Sequence, residues 1–269
     1  MLLRRVASSV FILVAGLWLL AGCLPPDTYL PLAPVTPAAT PIPTPTMPIF
    51  DLIAVVGDGV PASVLDDVAA ALHAGAPAVC DALEIPCDFP VAVQVFAGQA
   101  AFDQGTMNPA MRGFFALSGD GLIQMVSPAN SGLDELSYED GVGVAVHEFV
   151  HLALDRINPD LPDWLDEGTA VLLGPHDLYD RACHEQLPDF VPPPLADLRE
   201  HYDNIPAPDL YAYTLVTYIV DTGGLHTLNR LLRSPQVSVE FMLGKSTLEV
   251  EAEWRAFVSR GCLAASPAN

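Results

Sequence analysis

Two histidines and a glutamate stand at the spacing of a metal site in the stretch 147–151, HEFVH. Residues four apart on a helix share a face, so His147 and His151 can present imidazole nitrogens to one ion. Zinc takes such nitrogens at about 2.0–2.1 Å. Glu148 lies one step round the helix, where it can accept a proton from a water in the open coordination position. The spacing therefore predicts two zinc ligands and a general base for hydrolysis.

The flanks of this motif predict a buried helix. The segments 142–146 and 149–154, VGVAV and FVHLAL, are apolar nearly all round a helix. Two imidazoles and a carboxylate are costly to bury there unless they are paired or bound to metal. Two ordinary core histidines are the alternative, which these flanks disfavour.

A catalytic zinc takes a third protein ligand and keeps one coordination position open. Asp166 and Glu167 are the nearest candidates, on a short apolar helix predicted after a proline-bounded turn. Their side chains point about 100° apart round that helix, and Asp166 is the rival of Glu167 for the third ligand position.

The segment 161–173, LPDWLDEGTAVLL, resembles the gluzincin metallopeptidases when it is taken together with the HEFVH motif. In the bacterial peptidase MA-like domains of that group, an HExxH helix is followed by P-x-W-x-x-E-G-x-A. The resemblance covers roughly residues 113–260 and implies that Glu167 is the third ligand. It also implies a zincin-like α+β fold, with an N-terminal mixed sheet, the HExxH helix and then a helical C-terminal lobe. The matching residues are Pro162, Trp164, Glu167, Gly168 and Ala170.

The same resemblance implies a tyrosine that donates a hydrogen bond to the oxyanion formed during hydrolysis. Tyr211 matches that place best and Tyr213 is the alternative. A tyrosine that only packs in the core, on an amphipathic helix, is the competing interpretation. The likeness also suggests that residues 121–128 form an edge strand above the zinc cleft, with ordinary sheet core equally compatible.

Two further acids, Asp155 and Asp163, are candidates for orienting the histidine ligands. A ligating histidine usually donates its other N–H to a carboxylate or carbonyl. Solvated surface acids are the alternative explanation for both residues.

Hydrophobic periodicity alone also predicts an α+β domain, because strands and a helix come first and helices follow. Pro77 is expected to bend or interrupt the first helix. Strands are predicted at 50–59 and 89–97, a hairpin at 113–128, and helices at 61–83, 209–224, 225–234 and 247–261.

The N-terminus predicts export and lipid attachment. Residues 1–22 carry two arginines, an apolar run and small residues, and LAGC ending at Cys23 resembles a bacterial lipobox. An ordinary signal peptide or an uncleaved anchor helix is the alternative. Residues 23–48 form a proline- and threonine-rich spacer, followed by the metallopeptidase-like domain at 49–269. This arrangement predicts a lipid-anchored protein on the extracytoplasmic face of a bacterial envelope membrane.

Charge and cysteine usage agree with an exported domain. The formal net charge of −22 disfavours nucleic acid and direct adhesion to anionic lipid. Four cysteines remain after Cys23, and an even count in an exported chain suggests two disulfides. Cys80–Cys87 and Cys183–Cys262 are the preferred pairs, with free buried thiols as the alternative.

The sequence thus predicts a monomeric zinc metallopeptidase that hydrolyses a peptide or protein substrate with metal-activated water. Whether it acts as an endo- or an exopeptidase stays open. A catalytically inactive, zinc-stabilised binding module is the alternative, although the intact Glu148 argues against it. An envelope protease with a single substrate is a third hypothesis.

Overall fold

A four-stranded mixed sheet occupies the N-terminal part of the protein in a computed structural model that describes residues 53–106, 114–130, 136–174 and 191–260. The strand order is β1–β2–β4–β3, in which β2 is parallel to β1 and β4, and β3 is antiparallel to β4. The strands are β1 (Ile53–Val56), β2 (Val91–Phe96), β3 (Ala116–Gly119) and β4 (Leu122–Val126).

Helices surround this sheet and make up the C-terminal part. In the first part these are α1 (Ala62–Leu83), α2 (Gln99–Gly105), α3 (Tyr138–Ile157) and α4 (Asp163–Leu173). The second part contains α5 (Leu195–Glu200), α6 (Pro208–Gly223), α7 (Leu225–Arg233), α8 (Val239–Leu243) and α9 (Thr247–Ser259). Short 3-10 turns lie at Pro128–Asn130 and Tyr202–Asn204. The α+β class with a mixed sheet and a helical second part is confirmed.

One face of the sheet carries the core of the N-terminal part. Alternate residues of β2 are buried, as shown by Val91, Val93 and Val95. This face packs against α1 and α3. On the opposite, exposed face, the Gln124 amide donates to Gln94 Oε1 at 3.1 Å. Burial on one face only explains the strict alternation along β2.

The predicted hairpin is confirmed, but the predicted edge strand is wrong. Asp120 and Gly121 form the two-residue turn with φ of 52° and 76°, a left-handed backbone conformation that lets a tight turn match the twist of the two strands. β4, which contains most of the 121–128 segment, pairs with strands on both sides and is therefore internal. β3 forms the edge instead, and it also packs against α3.

The first helix runs unbroken through Pro77, so the predicted interruption does not occur. A proline inside a helix costs about 3 kcal/mol because it removes a hydrogen bond and crowds the preceding turn. Buried residues continue on both sides of Pro77, including Leu72, Ala76, Val79 and Leu83. Tertiary burial of this face offsets the local cost.

The end of α1 is attached to the rest of the domain in two ways. The predicted Cys80–Cys87 disulfide is confirmed and closes the connection between α1 and β2. In addition, the Asn229 amide on α7 donates to the Ala82 carbonyl at 2.8 Å, and the Arg233 guanidinium donates to the Leu83 carbonyl at 2.8 Å. The other predicted pair, Cys183–Cys262, lies outside the described residues.

The C-terminal helices are held together around α6. Most residues of α6 are buried, and the fully buried Trp254 on α9 donates its indole N–H to the Thr214 hydroxyl at 3.0 Å. A buried indole needs such a partner, since an unpaired N–H is expensive away from water. α6 thereby provides a fixed surface on its other side, where α4 packs.

All the described residues belong to one unit, Met47–Asn269. Among them, no helix has the length and apolar character required to cross a membrane. The predicted signal peptide, the lipid-modified Cys23 and the spacer lie outside the described residues.

We expect Asn229→Ala to lower the free energy of unfolding by about 1–3 kcal/mol, because the half-buried Ala82 carbonyl loses its donor. Asn229 also accepts a hydrogen bond from Arg233 at 2.9 Å, so one substitution removes both contacts. Urea denaturation of the purified protein measures the change. Asn204→Ala, at an exposed position, is the matched control, and equal losses in the two variants would contradict the assignment.

Candidate metal centre

The helix that carries the HEFVH motif is α3, as predicted, and its start is set by a capping box. The Ser137 hydroxyl accepts a hydrogen bond from the Asp140 backbone N–H at 3.0 Å, and the Asp140 carboxylate accepts one from the Ser137 backbone N–H at 3.4 Å. Acidic residues in the first turn also interact favourably with the positive end of the helix dipole. The apolar flanks of the motif are buried, including Val150 and Leu154.

The second helix of the site, α4, begins after Pro162, and its close contact with α6 depends on Gly168. A Cβ at this glycine would lie 2.6 Å from the Ala212 carbonyl oxygen and 2.7 Å from a Val216 methyl. At the end of α4, a Cβ on Gly174 would lie 3.1 Å from His147 Cα. Glycine is therefore needed where α4 approaches α6 and again where its end approaches α3.

The structure brings the three predicted ligands together. His147 Nε2 and His151 Nε2 are 3.1 Å apart, and Glu167 Oε2 lies 3.7 Å from each of them. The three potential ligand atoms form a group that could hold a metal ion. Glu167 rather than Asp166 approaches the Nε2 atoms of both histidines, which agrees with the choice implied by the gluzincin-like motif.

The distances between the donor atoms suit a small tetrahedral ion. Ligands about 2.1 Å from a tetrahedral zinc lie about 3.4 Å from one another. The observed edges of 3.1, 3.7 and 3.7 Å bracket that value. Two imidazole nitrogens and one carboxylate oxygen are also a donor set that zinc accepts in catalytic sites. The residues therefore fit such an ion in both chemistry and spacing.

Asp166 orients His151 from the opposite side of its ring. The Asp166 carboxylate lies 3.1 Å from His151 Nδ1, while Nε2 of the same ring faces His147. A carboxylate on Nδ1 favours the tautomer with the proton there, which leaves the Nε2 lone pair for an ion. Asp155 and Asp163 were predicted in this kind of role, but at His151 it is Asp166 that occupies the position.

The charges of the centre favour a cation between the imidazoles and the carboxylates. Burial lowers the pKa of His151, but Glu167 and Asp166 outweigh it and raise the pKa to about 10. Burial raises the pKa of Glu167, yet His151 and His147 bring it down to about 2. A buried carboxylate keeps its charge there only because positive charge is close.

The predicted base, Glu148, is on the same helix as both histidines and is only 7% exposed. Its negative charge is among those that raise the pKa of His151, so its carboxylate lies within electrostatic reach of that ring. A charged side chain at this depth is rare unless it is paired or functional.

The structure places both candidate tyrosines on α6, where they are buried. The Tyr211 hydroxyl donates to the Val191 carbonyl at 3.3 Å, and burial raises the pKa of Tyr211. A phenol with a raised pKa stays neutral and remains a donor. The role of Tyr211 or Tyr213 at an oxyanion stays a prediction.

One residue near the centre, Asp209, was not among the predicted site residues. Asp209, in the first turn of α6, accepts a hydrogen bond from the Tyr202 hydroxyl at 2.7 Å. Burial raises the pKa of Asp209 and the charge of Glu167 raises it further, while Tyr202 and the two histidines of the centre act in the opposite direction. In the sequence, an aspartate after a proline indicates only an ordinary helix start, so no local signal marks it.

No protein-family model matches the chain, and no significant similarity was found to a curated protein or to a solved structure.

We expect Gly168→Ala to destabilise the protein by about 1–3 kcal/mol, because the added methyl forces α4 away from α6. The displacement should also weaken zinc binding, since Glu167 is the next residue. Thermal unfolding and zinc titration measure both effects. Gly119→Ala is the control, because a Cβ there would meet no atom within 4 Å, and matching losses in the two variants would refute the packing argument.

We expect Asp166→Asn to reduce zinc affinity by about 10–100-fold, since His151 loses the carboxylate that orients its ring. Competition with a chromophoric chelator measures the dissociation constant. Asp163→Asn, at an exposed position on the same helix, should change it less than twofold. A larger loss of zinc affinity in Asp163→Asn than in Asp166→Asn would assign the orienting role to Asp163.

Proposed function

We propose that the protein is a zinc-dependent metallopeptidase of the gluzincin type, with a zincin-like fold. The single observation that carries the proposal is the convergence of His147 Nε2, His151 Nε2 and Glu167 Oε2, with edges of 3.1, 3.7 and 3.7 Å. The motif that resembles peptidase MA-like domains supports the choice of reaction. The α+β order of the elements and the position of α3 against the sheet are compatible with it.

Three side chains would hold the ion: His147, His151 and Glu167. When bound, zinc supplies a Lewis acid that polarises a carbonyl and lowers the pKa of a water towards neutrality. Asp166 holds the His151 ring in the orientation in which the lone pair of Nε2 is available to the ion. Three protein ligands leave a coordination position open, as hydrolytic sites require.

Glu148 is the general base of the proposed reaction. It takes a proton from the attacking water, whose oxygen bonds to the carbonyl carbon of the peptide. It then delivers that proton to the amide nitrogen as the carbon–nitrogen bond breaks, which releases an amine and a carboxylic acid. Burial of Glu148 limits the solvation of its carboxylate by bulk water.

Tyr211 is the proposed donor to the substrate oxyanion, with Tyr213 as the alternative. A neutral phenol aimed at developing negative charge stabilises it without a proton transfer. For this role the Tyr211 hydroxyl has to exchange its acceptor, the Val191 carbonyl, for the substrate oxygen.

The proposed setting is the extracytoplasmic face of a bacterial membrane, with a lipid on Cys23 and a spacer that holds a monomeric domain away from the surface. The lipobox-like LAGC and the proline-rich stretch after it support this setting. The Cys80–Cys87 disulfide is compatible with export into an oxidising compartment.

We expect Glu148→Gln to lower kcat by a factor of about 10²–10⁴ while the protein keeps one zinc. Cleavage of a peptide library, followed by mass spectrometry, measures activity, and elemental analysis measures the metal. Glu139→Gln, an exposed change on the same helix, should leave both unchanged. Full zinc occupancy without turnover of any peptide by the unsubstituted protein would instead favour the zinc-stabilised binding module.

A further inference from the structure

Asp209 has features that the hydrolytic mechanism does not use. Its side chain is partly buried, and the hydroxyl of the buried Tyr202 donates to its Oδ1 at 2.7 Å. This contact fixes the direction of the carboxylate. Burial makes the charge of such a group costly unless a compensating positive charge is close.

The position of Asp209 follows from the packing of α6 on α4. Residues 209, 212 and 216 lie on one face of α6 because they are three or four apart. On that face, Ala212 and Val216 are the residues closest to a Cβ at Gly168, which directly follows the ligand Glu167. Asp209 therefore lies one turn before the crossing, on the face of α6 that meets the helix carrying Glu167.

The carboxylate is close to the centre without belonging to it. The charges of Glu167, His147 and His151 all act on Asp209. Yet the group of potential ligand atoms that lie within 4.8 Å of one another contains only those three residues among the described part of the chain. Asp209 is thus a neighbour of the proposed reaction and not a fourth ligand.

Among the described residues, no lysine or arginine forms an ion pair with this carboxylate, and the positive charges that act on it are those of His147 and His151. The ion pairs of the described residues involve other acids, such as Glu240 with Arg199 and Glu253 with Lys245. Nor does Asp209 serve as a side-chain cap, since the start of α6 has no side-chain cap hydrogen bond. Tyr202 therefore orients this carboxylate at the side of the site, in the first turn of α6, where it forms no ion pair with a lysine or arginine of the described residues.

We propose that Asp209 determines specificity by binding a positively charged group of the substrate next to the bond that is cleaved. This inference rests on the proposed metallopeptidase function and assigns its substrate class. The group is an ammonium or guanidinium, supplied by a lysine or arginine side chain or by the substrate N-terminus. Tyr202 is the positioning residue, because its hydroxyl directs the carboxylate.

Peptide binding can be measured separately from cleavage with the zinc-loaded full-length Glu148→Gln protein. The probes are fluorescent peptides that differ only in lysine versus norleucine, each with a free or an acetylated N-terminus. We expect the charged member of a pair to bind roughly tenfold more tightly, as a charge-assisted hydrogen bond predicts. Adding Asp209→Asn should reduce this preference to less than twofold. A preference that follows lysine identifies the side chain as the source, and one lost on acetylation identifies the N-terminus.

The control with the same charge change is Asp203→Asn, an exposed acid next to Tyr202, which should keep the full preference. Tyr202→Phe should reduce it in part while zinc content stays at one per chain. A preference that survives Asp209→Asn, or is absent from the start, overturns the inference. So does a loss of zinc or thermal stability in Asp209→Asn with an unchanged preference, since that marks a structural role.

Cleavage of the same peptides by the unsubstituted protein separates this inference from the proposed function. Cleavage without a preference for charge leaves the metallopeptidase standing and removes the role of Asp209. Charge-selective binding that depends on Asp209, without any cleavage, removes the metallopeptidase and leaves the cation site. If no peptide binds, both proposals fail.

Discussion

The charged carboxylate of Glu167 has to remain buried against two imidazoles, and the surrounding helices are arranged to meet that requirement. Burial opposes the charge, and His147 and His151 on the facing helix compensate for it. Such compensation needs distances near 4 Å, so α4 cannot shift without cost. Contact at Gly168 fixes one side of α4 against α6, and contact at Gly174 fixes its end against α3.

Two neighbouring acids on α4 act on opposite nitrogens of one ring. Asp166 lies at His151 Nδ1, and Glu167 lies 3.7 Å from His151 Nε2. The step of about 100° between adjacent helical residues separates the two carboxylates enough to reach round the imidazole. One helical turn thus supplies both a candidate ligand and the group that orients another ligand, which makes the D-E-G order of this segment a geometric requirement.

The parts of the structure that could be predicted are those with a long period or an explicit motif. The regular apolar spacing of 209–224 and the alternation of 89–97 each identified an element. So did the Gly-Asp-Gly turn of the hairpin. The short helices α2, α5 and α8 escaped prediction because five to seven residues do not complete two helical turns. The internal place of β4 was missed because strand order depends on contacts between segments distant in sequence.

The residues of the site also divide into those that a local motif predicts and those that only tertiary packing brings together. His147, Glu148, His151 and Glu167 follow from local spacing and from the resemblance. Asp166 was weighed only as a ligand, since the sequence cannot show which ring nitrogen it meets. Asp209 lies 42 positions after Glu167 in the chain, and only the packing of α6 on α4 brings it near. Residues contributed by tertiary packing, without a motif of their own, are those that a single sequence does not reveal.

The attachment of α7 to the end of α1 has a consequence for how the chain reaches its native state. Asn229 and Ala82 are 147 residues apart in sequence. Contacts of such long range raise the contact order and slow folding, because a large loop must close before they form. All of the candidate metal ligands lie inside that loop. A nascent chain therefore contains the complete set of ligands well before the helices that hold α4 and α1 in place have been added.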